Sequence, residues 1–170
     1  MALRNILTEE DPTLRKKCRV VTEFNPRLHQ LLDDMTETLM QADGVGLAAP
    51  QVGVLRRVVL VLETNVPEDE EPVLIELINP EIIEATGEKH EPEGCLSVPG
   101  QYGIVSRPAF VKVRAQDRFG NYFEASGEGL TARCFAHEID HLNGIVFTSK
   151  CERMLTEEEL QGGQQETAED

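Results

Sequence analysis

The chain has no tryptophan, and aromatic residues make up only 5% of its 170 positions. Basic residues are scarce as well: 16 Lys and Arg stand against 31 Asp and Glu, leaving a net charge of −15. Phosphate binding needs a positive footprint, so this balance excludes a broad grip on nucleic acid and also on an anionic membrane surface. No apolar run approaches the roughly 20 residues of a membrane span, and the start, MALRNILTEEDP, lacks the apolar stretch of an export signal. Cysteine is sparse and scattered, at Cys18, Cys95, Cys134 and Cys151, with no CxxC pair. Without an export signal these read as reduced thiols, one of which is free to serve as ligand or nucleophile. The absences together predict a cytoplasmic protein with no membrane and no specific nucleic-acid partner.

What is present suffices for one packed domain, since 40% of the residues are hydrophobic. Leu28, Leu31, Leu32, Met35 and Leu39 recur at helical spacing between Phe24 and Met40, behind a plausible Asn25-Pro26 cap. Residues 56–63, 73–79 and 109–116 read as strands, and 121–125 as a returning hairpin arm. Residues 81–90 suit a further strand or arm, and 145–147 a short one. A second helix is predicted from Glu128 to Asn143, capped by Gly144. Thr156 with Glu159 forms a capping box for a last short helix. The architecture read from this is α+β: a single domain, residues 1–155, with antiparallel strands packed around a central helix. Residues 156–170 form an acidic, partly disordered tail. Removing its six acids takes the net charge from −15 to −9, so the body itself is acidic.

The sharpest chemical signal is HEIDH at 137–141. On a helix, His137 and His141 share one face and can grip one metal ion, while Glu138 beside them can take a proton from water. Two imidazoles leave a third protein ligand to find. Phe147 occupies the position of the third histidine in HExxHxxGxxH, which rules out that solution. Glu157, Glu158 and Glu159 are candidates, poorly placed at the edge of the tail. Cys134 lies about a turn too far from a metal held between the two histidines and reads as packing behind the site. Cys95, in EPEGCLSVPG, could bring a thiolate over the helix; the competing reading makes it a bare nucleophile, which leaves Glu138 without a task. His29 and His90 read as surface groups. The glycine-punctuated segment GVGLAAPQVG, residues 44–53, matches no phosphate loop and suggests a close backbone approach.

Three segments in order, GVGLAAPQ (44–51), EGCLS (93–97) and HEIDHLNG (137–144), resemble the motifs of the peptide deformylases, over about residues 3–150. The resemblance implies an enzyme that hydrolyses the N-formyl group from formylmethionyl nascent chains, releasing formate, in the N-terminal methionine processing of protein biosynthesis. It implies that Cys95, His137 and His141 bind one divalent metal, Fe2+ in the cell, with Zn2+, Ni2+ or Co2+ able to occupy a purified protein. It assigns Glu138 as general base and acid, and the Gln51 side chain and the Leu96 N–H as oxyanion donors. Gly46 lines the substrate cleft in this family. Substrate contacts are expected from Gly44, Val45, Gly46, Leu47, Tyr102, Ile104, Leu130 and Cys134, some through strand-like pairing with the peptide backbone. Arg107 is similar to the arginine that pairs with the acid at Asp140, as a support behind the site.

The sequence departs from the family pattern at Ala136, where many relatives have glutamine, and at Tyr102, where many have arginine; both bear on substrate preference and not on ligation. The expected partner is a formylated nascent peptide, met by a monomer in a bacterial cytoplasm. Some relatives dock on the ribosome through a basic C-terminal helix. The tail here is acidic, so any transient ribosome contact would need another surface.

Overall fold

The computed structural model describes residues 2–161. The expectation of disorder at the acidic end falls largely on residues 162–170, outside the described residues. The chain opens with an extended run and a 3-10 turn at Pro12–Arg15. Helix α1 follows at Pro26–Ala42. The Asn25 side chain accepts from the Leu28 N–H at 3.1 Å, and Pro26 fills the first turn, where its missing N–H costs nothing. Asp43 in the left-handed region, φ 55°, ends the helix.

A short strand β1, Gly46–Ala48, runs into a 3-10 turn at Ala49–Val52. Strands β2 (Val58–Glu63), β3 (Val73–Thr86), β4 (Lys89–Cys95), β5 (Val98–Arg107), β6 (Phe110–Gln116) and β7 (Tyr122–Glu128) come next. Helix α2 occupies Gly129–Leu142, and β8, Arg153–Met154, is the last strand. Five strands form an antiparallel sheet in the order β1-β2-β3-β6-β7, and three form another in the order β4-β5-β8.

Alternation along β2 builds two hydrophobic layers, because successive strand side chains point to opposite faces. Val58 and Leu60 join Leu28, Leu32, Met35 and Leu39 of α1. Val59 and Val61 join Ala132, Phe135, Ile139 and Leu142 of α2. A third cluster, Leu14, Val98, Val105, Val146 and Phe147, with Cys95 against it, lies under the three-stranded sheet. Helix α2 is therefore buried on almost every side, as the expected central helix must be.

Three expectations are corrected. Residues 145–147 form no strand: Val146 and Phe147 are held by burial in the third cluster, and Phe147 starts a 3-10 turn. Residues 81–90 are not one arm. They split between the end of β3 and the start of β4, separated by a turn at Gly87, φ 75°. EPEGCLSVPG is likewise no free loop. It is the end of the β4–β5 hairpin, with Cys95 opposite Val98 and an irregularity between Glu93 and Cys95.

Candidate functional site

The hairpin end sets Cys95 over the carboxyl-terminal half of α2, where His137 and His141 stand one turn apart. One ligand atom from each of the three residues lies within 4.8 Å of the others, and Cys95 Sγ is 3.3 Å from His141 Nε2. The imidazoles meet edge to face, 4.9 Å between centroids. His137 Nδ1 faces Glu93 Oε2 at 2.7 Å, which turns Nε2 toward the cluster. Burial pushes His141 well below the ordinary imidazole range, with the nearby His137 charge adding to this, so it is held neutral, the form that ligates. One sulfur and two nitrogens at this spacing fit a single four-coordinate divalent ion with one position left for water.

Glu138 sits beside the cluster, with Oε1 3.8 Å from His137 Nε2. Burial, the largest influence, pushes its carboxyl up to about 7, and among the described residues its Oε2 has no hydrogen-bond partner. An acid in that condition exchanges a proton readily near neutral pH. Gln51 is 1% exposed. Its Oε1 accepts from the Ala48 N–H at 2.9 Å, which fixes the amide so that Nε2 donates to Ser97 Oγ at 3.0 Å and points to Cys95 Sγ at 3.5 Å.

A cavity of about 440 Å³ opens beside the cluster. Gly44, Val45, Gly46, Cys95, Leu96, Tyr102, Leu130, Cys134, His137 and Glu138 all contribute to its wall. Gly46 has no room for a side chain: a Cβ there would stand 2.9 Å from Glu138 Oε1. The Tyr102 ring leans on Gly94, where a Cβ would fall 2.5 Å from Cε1. Cys134 faces the cavity and does not ligate. Burial, helped by the charges of Glu138 and Glu93, pushes its thiol up to about 12. Two residues expected at the substrate are elsewhere. Leu47 is fully buried in the α1 layer, because β1 turns alternate side chains away from the cavity. Ile104 pairs with Pro92 and Arg153 within the three-stranded sheet. His29 and His90 lie outside the cluster: His29 Nε2 meets the Arg118 carbonyl, and His90 lies between Glu88 and Glu152.

Arg107 bonds Asp140 at 2.6 Å, and the same guanidinium grips Glu93 through Nε at 3.0 Å and Nη2 at 2.8 Å. Sequence reasoning missed Glu93 and also Arg133, which reaches Glu93 Oε1 at 3.1 Å and the carbonyls of Val105 and Lys89 at 2.9 and 3.0 Å. For Glu93, burial alone would raise the carboxyl. The bonds from His137 and Arg107 outweigh it and hold the group down to about 2. The available signals were an acid two residues before a candidate ligand, and a single cation inside the apolar run LTARCFAH. Phe147, where a third histidine would stand, stacks on His137 with 6.2 Å between centroids.

The family model described as "Polypeptide deformylase" matches residues 3–157. A peptide deformylase of Alkaliphilus metalliredigens is 57% identical over 150 residues, covering 88% of this chain and 97% of that one. One from Caldicellulosiruptor bescii is 54% identical over 161 residues, covering 95% and 93%. The crystal structure of a peptide deformylase from Legionella pneumophila superposes with a TM-score of 0.81 at 42% identity, over 99% of both chains.

Proposed function

The chain belongs to the polypeptide deformylase family, and on that premise we propose how its own residues remove the formyl group from formylmethionyl nascent peptides. Cys95, His137 and His141 would hold one divalent ion, Fe2+ in the cell, with Zn2+, Ni2+ or Co2+ accepted in purified protein. When bound, the ion supplies Lewis acidity, acidifying water and polarising the formyl oxygen. Glu138 takes the proton of the attacking water through the oxygen that has no other partner, then passes it to the leaving amine as formate departs. The Gln51 Nε2–H and the Leu96 backbone N–H donate to the oxygen on which negative charge builds. The long contact from Gln51 to Cys95 is the one that oxygen replaces. The observation that carries this reading is the buried Glu138 carboxyl beside the Cys95–His137–His141 cluster.

Exclusion of ordinary peptides follows from the narrow approach. Gly46 lies directly against Glu138, so the reacting carbon meets a slot that suits formyl, whose carbon bears no side chain. The methionine side chain occupies the cavity between Leu130, Cys134 and Tyr102. Gly44 to Gly46, at the free edge of β1, bond the peptide backbone as an added strand. The catalytic unit spans residues 1–155, works as a monomer in the bacterial cytoplasm, and leaves residues 156–170 outside the chemistry.

The deciding assay is anaerobic, with iron, on formyl-Met-Ala-Ser and acetyl-Met-Ala-Ser. Formate release from the first alone supports the proposal. Equal deacylation, or cleavage of a peptide bond, assigns the same site to another hydrolase class.

A further inference from the structure

The chain's scarce positive charge is unevenly spread. Arg15, at the end of the 3-10 turn, and Lys16, Lys17 and Arg19 in the stretch after it are exposed, with Cys18 turned inward at 5% exposure. Arg19 pairs with Arg56 in a parallel bridge, its N–H donating to the Leu55 carbonyl at 3.0 Å, and the Arg57 N–H donates to the Arg19 carbonyl at 3.0 Å. The Arg57 guanidinium then reaches the Leu142 carbonyl at 3.1 Å and Asn143 Oδ1 at 3.2 Å, at the end of α2. Gly144 seals the junction, since a Cβ there would stand 2.4 Å from the Arg15 carbonyl. Six of the 16 basic residues thus lie on one face, held there by backbone and not by flexible loops.

Of the ten basic residues elsewhere, seven are paired, and Arg27, Lys89 and Arg114 stand outside the ion pairs among the described residues. Arg4, Arg107, Lys112, Arg118, Arg133, Lys150 and Arg153 each meet a carboxylate. Among the described residues none of the six on this face takes part in an ion pair. A polar groove of about 520 Å³ runs beside them, lined by residues 19–23 and 53–56. Its wall contains one acid, Glu23, and outside it Asp11 lies near enough to Lys16 to feel its charge.

We propose that this face docks the phosphodiester backbone of folded RNA. Five exposed cations fixed on one rigid surface and left without carboxylates fit a repeating row of phosphates. Exposed apolar surface at the patch amounts to Val20, too little for the buried centre that a protein partner requires. The acidic remainder of the molecule repels phosphate, which confines contact to this face and makes it short-lived. Geometry favours the arrangement. Leu130, Arg133 and Cys134, near the amino end of α2, line the substrate cavity, while Leu142 and Asn143 at its other end touch the patch. Leu142 lies 8–12 residues beyond these three, about 12–18 Å along the helix axis, and none of the six cations lines the cavity, so a docked RNA leaves it open. The inference stands on the patch alone and does not depend on the reaction proposed above.

The test is fluorescence anisotropy of the full chain with a labelled RNA hairpin of arbitrary sequence. Three or four phosphate contacts predict binding that weakens about 40-fold or more between 50 and 200 mM KCl. K16E/K17E/R19E should weaken binding at least tenfold at 50 mM KCl while formyl-peptide turnover and Tm stay at the parent values. K112E/R114E, the same kind of charge reversal on β6, should leave binding within twofold. Absence of binding at 50 mM KCl, binding insensitive to the triple variant, or equal affinity for polyglutamate or for vesicles containing phosphatidylserine would each overturn the proposal. Turnover on formyl-Met-Ala-Ser, measured in the same preparations, keeps this outcome separate from the catalytic reading.

Discussion

Glu93 Oε2 stands 2.7 Å from His137 Nδ1, and the same carboxylate accepts from Arg107 and Arg133. Three buried partners thus orient a single ring. Breaking a buried pair by removing one partner costs about 3–5 kcal/mol, because the remaining charge is left uncompensated, and losing a support behind a metal-binding histidine lowers metal affinity about 10–100-fold. Glu93→Gln should therefore lower Tm and bind Zn2+ or Co2+ about 10–100-fold more weakly in a chelator competition. Arg133→Met should lower Tm and metal affinity together, with Arg133→Lys recovering part of both. Unchanged metal affinity in Glu93→Gln would remove the carboxylate from its orienting role.

Glu138→Ala should keep one metal per chain by elemental analysis and lose about 10²–10⁴ in turnover. The two measurements must be made on one preparation, since loss of both would show the glutamate to be structural.

Cys95→Ala removes the only sulfur of the cluster. Metal content after dialysis should fall below stoichiometric, and formyl-peptide turnover should fall with it. Chelation of the parent enzyme should have the same effect, and added Fe2+, Co2+ or Ni2+ under argon should reverse it. With iron bound, exposure to air should inactivate the protein through oxidation of the thiolate, whereas a zinc-loaded sample should resist.

Gly46→Ala places a methyl group 2.9 Å from Glu138 Oε1. Either the carboxylate or the backbone must move, and a displacement near 1 Å at a reacting group costs about 100-fold. Turnover should fall by that order while metal content and Tm remain near the parent values. A fall in metal content would place the damage at the ligands instead.

The Glu93 carboxyl sets an acid limit. Its folded pKa, about 2, lies below the ordinary value of 4.5, so its contribution to stability is complete above about pH 4.5 and is lost as pH falls toward 2. Denaturant midpoints should decline across that window, and Glu93→Gln should flatten the decline. Cys18 acts in the opposite direction. Burial pushes its thiol from 9.0 up to about 11, so its contribution is complete below pH 9 and fades toward 11. Cys18→Ala should flatten the alkaline limb without touching turnover.

Features that depend on local spacing are legible in the residues alone. Histidines four apart on an apolar helix must share a face, and Asn25-Pro26 ahead of a leucine pattern must start a helix. The three motif blocks pointed to the family because each carries its chemistry within eight residues. Which distant groups meet is settled by folding. The β4–β5 hairpin delivers Cys95 to His141 across 46 residues, and Glu93 to His137 across 44. No periodicity encodes such a pairing, since register between strands is set by the whole sheet. Leu47 and Ile104 miss the cavity for the same reason in reverse: strand alternation turns neighbours to opposite faces, and which face meets the cavity is fixed by packing against α1 and β8. The basic face also needed the fold, because Arg15–Arg19 and Arg56–Arg57 become one surface only when the parallel bridge joins them.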